Sequence, residues 1–282
     1  MKALNLFITF LLIISSSQTN AAKREIIINS THLGCNDTVL IHTPTGYTGE
    51  SIPALFLLHG WSGNWKNWND KADLQQMSDK YGFIIITPDG FYNSWYVNSV
   101  VPGGMQWRDF FHKELYPLIL KEYSLDPEKT FISGLSMGGH GAINIFLDDI
   151  SKFRAAGSMS GVMNLEVIDV RLKTGEISKV LGPYSDGAEN YVRESAFNRL
   201  ESFKEQSTKD EKLKDRVILI SCGKNDALAK SASDFCAKSD SLNIKNILLL
   251  SPGNHTWIHW KYSLDLHLFH FNRLAKGEHL GY

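Results

Sequence analysis

Thr130-Phe131-Ile132-Ser133-Gly134-Leu135-Ser136-Met137-Gly138-Gly139 decides how the rest of this 282-residue chain is read. A short apolar run enters Gly-x-Ser-x-Gly, and His140-Gly141-Ala142-Ile143-Asn144-Ile145-Phe146 continues it as a helix. Strand, sharp turn and helix together hold a serine in a strained backbone conformation. Glycines on both sides remove the Cβ atoms that would clash. The Ser136 hydroxyl then stands at the C-terminal edge of a sheet, over a helix N-terminus that favours developing negative charge. The competing reading is a glycine-rich turn whose serine only caps the helix.

Outward from this turn, short apolar strands alternate with amphipathic helices. Arg24–Ile28 and Thr38–His42 read as β-branched strands, the second closed by a turn at Thr43–Tyr47. Ile52–His59 is the first fully apolar run and leads into Gly60-Trp61-Ser62-Gly63-Asn64. Trp68–Tyr81 reads as a helix, Gly82–Thr87 as a buried strand, and Trp107–Tyr123 as a second helix after an aromatic loop from Phe91 to Gly104. Beyond the serine turn come strands at Phe153–Met159, Val217–Ser221 and Asn246–Leu250, a helix at Ala229–Ser241 and a closing helix at His255–Lys276. Residues 162–215 are more polar and helix-prone, an excursion from the sheet that could form a lid or a wall. The alternation predicts an α/β fold, a mostly parallel sheet covered on both faces with an antiparallel pair at its N-terminal side. Ligands of such sheets sit beyond the carboxyl ends of the strands.

The N-terminus has one basic residue, Lys2, then an apolar run from Leu4 to Ile14 and small residues near Ala21. This reads as a signal peptide over residues 1–21, too short for a stable membrane span, and predicts a secreted or periplasmic protein. Residues 22–282 are then one domain, with no membrane insertion of the mature protein. With 29 basic against 30 acidic residues the net charge is −1, and nucleic acid is not an expected partner. Three cysteines are too few for a disulfide framework. Cys222 and Cys236 are one candidate pair, leaving Cys35 free, but spacing does not decide pairing. No metal or cofactor is expected: His255 and His259 lie four apart, yet the glutamate and third ligand of a zinc site are missing. Asn29-Ser30-Thr31 and Asn36-Asp37-Thr38 match the glycosylation pattern; Asn254-His255-Thr256 also matches, and is read as accidental.

A serine hydroxyl attacks only when a base takes its proton, and the base must be a histidine held by a carboxylate. Asp226, in Cys222-Gly223-Lys224-Asn225-Asp226, stands just past a buried strand; Asp234 and Asp240 occupy polar positions on the next helix. Asp226 could also serve as that helix's N-cap. His255, in Gly253-Asn254-His255, follows the last strand, whereas His42 and His59 precede the serine and His259, His267 and His270 lie on the final helix. Two donors for a tetrahedral oxyanion are expected from the backbone N–H groups of Met137 and Trp61, with Gly60 the other candidate in that loop.

Leu57-Leu58-His59-Gly60, Asn93-Ser94-Trp95-Tyr96, Gly134–Gly139, Cys222–Asp226 and Gly253–Trp260 stand in an order that resembles the esterase D-like family of α/β hydrolases. That family includes S-formylglutathione hydrolases, tributyrin, feruloyl and acetylxylan esterases and the antigen 85 acyltransferases. The resemblance spans nearly the whole mature chain. It implies Ser136, Asp226 and His255 as the triad and the Trp61 and Met137 backbones as the oxyanion hole. It also implies that Trp95 and Tyr96 line a substrate pocket, although both could instead pack against the helix near Trp107; Trp257 is a further pocket candidate. The expected activity is hydrolysis of small-molecule or carbohydrate esters, such as acetyl or feruloyl esters. Acyl transfer to a sugar and a non-catalytic binding role are the alternatives; oligomeric state is left open.

Overall fold

The structure is a computed structural model that describes residues 23–185 and 188–280. The expected signal peptide at 1–21 lies outside the described residues. Eight strands form one sheet: β1 (Lys23–Ser30), β2 (Cys35–His42), β3 (Ala54–Leu58), β4 (Ile84–Pro88), β5 (Thr130–Gly134), β6 (Ala155–Met159), β7 (Val217–Gly223) and β8 (Asn246–Ser251). Their order is β1-β2-β4-β3-β5-β6-β7-β8. β1 and β2 pair antiparallel, as do β2 and β4, and every later pairing is parallel.

Every residue of β3 through β7 is buried, which is why apolar and small residues fill successive positions there instead of alternating with charged ones. Alternate side chains still serve opposite faces. Phe56, Leu58, Ile132, Ala156 and Ile218 point to a core shared with Ile143, Ile145 and Phe146 of the Met137–Asp148 helix. Leu55, Leu57, Phe131, Ala155 and Leu219 point the other way, against Leu264, Leu268 and Phe271 of the Trp257–Ala275 helix.

Two expected helices are modified for local reasons. The run from Trp68 to Tyr81 breaks at Ala72, which is extended (φ −132°, ψ 148°), because Asp73 starts a new helix by accepting the Gln76 N–H at 2.9 Å. The run from Trp107 to Tyr123 stays helical but widens by one residue over Phe111–Leu115. Pro117 has no N–H to continue the ordinary ladder there. The segment after Gly161 is a chain of short helices ending in Leu200–Lys209. It closes over the Met137–Asp148 helix through partly buried ion pairs, Arg108 with Asp148 and Glu194, and Arg199 with Asp148.

The candidate pair Cys222 and Cys236 is not bonded; all three cysteines are free thiols. Cys222 faces the Ser160 hydroxyl at 3.8 Å instead. Burial pushes the Cys222 and Cys236 thiols each up to about 12. Among the described residues no helix is long and apolar enough to cross a membrane.

Candidate active site

Ser136 sits between β5 and the Met137–Asp148 helix with φ 51° and ψ −115°, a conformation that L-residues rarely adopt. Three glycines make the turn feasible. A methyl on Gly134 would lie 2.4 Å from the Gly138 carbonyl oxygen, and one on Gly138 would lie 2.5 Å from the carbonyl oxygens of Leu58 and His59. A methyl on Gly60 would lie 2.4 Å from Leu135 Cδ1. The turn is further tied to its neighbours by Leu135 N–H donating to Leu58 O at 3.2 Å and Ser136 N–H to Met159 O at 2.9 Å. The Ser136 side chain makes no helix-capping bond, so its hydroxyl is free for another partner.

That partner is His255, whose Nε2 lies 2.9 Å from Ser136 Oγ. On the other side of the ring, Nδ1 lies 2.8 Å from Asp226 Oδ2. The imidazole is one-third exposed while the carboxylate is almost wholly covered. Asp226 keeps its second oxygen on the Leu228 N–H at 2.9 Å, so it braces the loop as well as holding the histidine, but it is not the N-cap of the Ala229–Ser241 helix, a position that Leu228 takes. Burial alone would push the Asp226 carboxyl up. Hydrogen bonds from His255, the Leu228 N–H and the Ser160 hydroxyl, with the charge of His255, outweigh it and hold the group below the ordinary aspartate range. The His255 and Trp260 rings stand nearly perpendicular, at 88°, with their centroids 4.9 Å apart. His259 turns inward to the Ser251 and Ser263 hydroxyls.

The Gly60–Trp61 peptide runs beside the serine: a methyl on Gly60 would lie 3.6 Å from Ser136 Cβ. Met137 opens its helix, and a helix leaves its first N–H groups without internal acceptors. A hydroxyl that can pass its proton to a held imidazole, with N–H donors alongside, can form and resolve an acyl-enzyme.

Two cavities meet at Trp61, Ser136 and His255. The larger, about 770 Å³, is walled by Trp95, Val162, Val167, Ile168, Leu172 and Leu228, with Asp169, Lys230 and Asp234 exposed around it. The smaller, about 390 Å³, is walled by Ser62, Asn67, Leu135, Trp257 and Trp260.

Residues 30–270 match the family model "Putative esterase". The chain belongs to this esterase family. It is 26% identical over 269 residues to an S-formylglutathione hydrolase of Arabidopsis thaliana, covering 84% of this chain and 88% of that one. It is 26% identical over 222 residues to an acetyl esterase of Caldicellulosiruptor saccharolyticus, covering 75% and 80%. Its fold superposes on FphF, a fluorophosphonate-binding serine hydrolase of Staphylococcus aureus, with a TM-score of 0.76 at 21% identity over 89% of this chain and 98% of that one. A ferulic acid esterase gives 0.74 at 21% over 90% and 98%. These superpositions establish the α/β-hydrolase fold.

Within this esterase the Asn93–Tyr96 loop divides its two aromatic residues. Trp95 (φ 51°) reaches the larger cavity, with Nε1 donating to Asn93 Oδ1 at 2.9 Å. Tyr96 (φ 56°) does not reach either cavity, contrary to the expectation for it. It is fully buried against Trp107 at 4.5 Å, and its hydroxyl donates to His59 O at 2.9 Å. The glycines explain its position: methyls on Gly90 or Gly141 would strike its ring. Trp257 lines the smaller cavity, edge-on to Trp68 at 5.2 Å. Besides Trp95, the larger cavity's apolar wall comes from Leu228 and from the excursion read as a candidate lid or wall, though none of these individual residues was singled out in the sequence. Their only signal was their position after the strand ends of β6 and β7.

Proposed function

We propose that the chain is an exported serine carboxylic ester hydrolase acting on acetyl, short acyl or aromatic esters of carbohydrates. The observation that carries this reading is the continuous Ser136–His255–Asp226 hydrogen-bonded line standing where two cavities meet. Ser136 Oγ attacks the ester carbonyl while His255 Nε2 takes its proton, and the N–H groups of Trp61 and Met137 receive the oxyanion. The carbonyl re-forms, the alcohol leaves with the proton from His255, and Ser136 is left acylated. Water attacks the acyl-enzyme, giving its proton to His255, and the acid departs as Ser136 recovers its hydrogen.

The apolar walls of the larger cavity suit the acyl group, and the smaller one, lined by Ser62 and Asn67 as well as by indoles, suits a polyol. Export is supported by the composition of residues 1–21, which also argues against an intracellular thioester of glutathione as the substrate.

The test is a matrix of esters assayed with wild type and Ser136→Ala, combining acetyl, butyryl and feruloyl groups with methyl, p-nitrophenyl and pentosyl alcohols. Ser136→Ala is expected to lose activity on all of them, and fluorophosphonate is expected to label wild type only. Equal turnover by Ser136→Ala would remove the nucleophile assignment. A strong preference for S-formylglutathione over every sugar ester would remove the substrate class.

A further inference from the structure

One donor's usefulness depends entirely on its direction. In a trans peptide the C=O and the following N–H point to opposite sides, and no cis peptide occurs among the described residues. Whatever holds the Gly60 carbonyl therefore aims the Trp61 N–H. That carbonyl accepts from His59 Nδ1 at 2.8 Å and from the Gly63 N–H at 3.1 Å.

His59 is buried, and its other nitrogen sets its tautomer. The Gly90 N–H donates to Nε2 at 2.7 Å, which makes Nε2 an acceptor and leaves the proton on Nδ1. Asp89 Oδ1 also lies 3.3 Å from Nε2, but that oxygen already accepts the Phe91 N–H at 2.7 Å. The shorter, directional Gly90 bond decides the assignment. The backbone is pinned on the preceding carbonyl as well, since the Tyr96 hydroxyl donates to His59 O. Gly63 packs so closely that a methyl there would lie 2.6 Å from His59 Nδ1.

We infer that His59 is a positioning residue for the oxyanion hole: its Nδ1–H holds the Gly60 carbonyl and so directs the Trp61 N–H toward the nucleophile. The inference rests on the proposed roles of Ser136 and Trp61. His59 touches no substrate; it acts through one peptide plane. Its effect is tautomer-specific, because an imidazole protonated on Nε2 would repel both the Gly60 oxygen and the Gly90 N–H.

Two amides separate this role from packing. Asparagine places an N–H near the position of Nδ1, whereas glutamine reaches the position of Nε2. His59→Gln is expected to lower kcat by ~10²-fold with KM nearly unchanged, the size of losing one oxyanion donor. Affinity for a boronic acid transition-state analogue should fall by a similar factor, and His59→Asn should recover at least ~10-fold of the loss. Equal activity of the two variants, or a change confined to KM, would overturn the inference. If neither variant folds, 15N NMR of wild-type protein decides: His59 protonated on Nε2 contradicts it, and protonation on Nδ1 alone supports it. Ser136→Ala keeps the two levels apart. An inactive Ser136→Ala with indistinguishable Asn and Gln variants sinks only the His59 role, whereas an active Ser136→Ala sinks the underlying reading.

Discussion

Gly223 and Gly253 touch through their backbones: a methyl on Gly223 would lie 2.4 Å from the Gly253 carbonyl oxygen. Gly223 closes β7 and leads to Asp226, while Gly253 follows β8 and leads to His255. The two loops are laced by the Asn225 N–H donating to Gly253 O at 3.0 Å and the Lys224 N–H to Ser251 O at 2.8 Å. The Asp226–His255 contact is thus set by backbone packing before either side chain contributes.

Gly223→Ala should therefore force the loops apart. A loss of at least ~10-fold in kcat is expected from misplaced catalytic groups, together with about 1–3 kcal/mol of stability from overpacking. Gly175→Ala is the control, because a methyl there meets nothing within 4 Å. Kinetics and thermal melting of both variants check this; a fully active Gly223→Ala contradicts it.

Asp226→Asn should leave the fold intact and lower kcat by roughly 10³–10⁴-fold, since the neutral amide neither stabilises an imidazolium nor enforces the working tautomer. Steady-state kinetics with a matched thermal melt measures it. An Asn variant within ten-fold of wild type would show that the carboxylate is dispensable.

Acid should weaken the fold from below about pH 6.5. Burial lowers His267 to about 3, with the charges of His270 and His259 adding to it, and burial lowers His140 to about 4. The unfolded chain binds protons that the folded one refuses, so stability is complete above about 6.5. It falls by up to about 1.4 kcal/mol per pH unit for each histidine. Asp148 adds a loss lower down: burial opposes its charge, but Arg108, His112 and Arg199 outweigh burial and hold it at about 2. Melting temperatures from pH 7 to 4 should decline in wild type and decline less in His267→Gln. Identical slopes contradict the assignment.

The buried thiols should be silent. Cys222 and Cys236 are expected to resist a disulfide-exchange reagent in the native protein and to react on unfolding, and reductant should leave the melting temperature unchanged. A reductant-dependent melt would reveal a bond that the structure does not contain.

Much of the candidate site was legible because each proposed triad residue follows its own strand. Ser136 comes after β5, Asp226 after β7 and His255 after β8, and glycines mark each turn. The break at Ala72 was written in Asp73, an N-cap signal inside a helical period. Tyr96 was harder: adjacent aromatic residues in one loop look alike, and only the backbones of Gly90 and Gly141 determine which turns inward. The excursion could be read as a lid or a wall, but not which of its residues line the larger cavity, because Val162, Leu172 and, beyond it, Leu228 are ordinary apolar residues until distant segments converge. His59 looked like a strand end because its partners, Gly60 and Gly90, are backbone groups thirty residues apart.

Ser136 is held at φ 51° and ψ −115° without a capping bond of its own, a conformation that costs a non-glycine residue of order 1–3 kcal/mol. Glycine at this position would fold more comfortably, so random mutagenesis screened only for thermal endurance should favour loss of the serine. On the proposed role of Ser136, the nucleophile is a local concession by the scaffold, a side chain that turnover needs and folding does not.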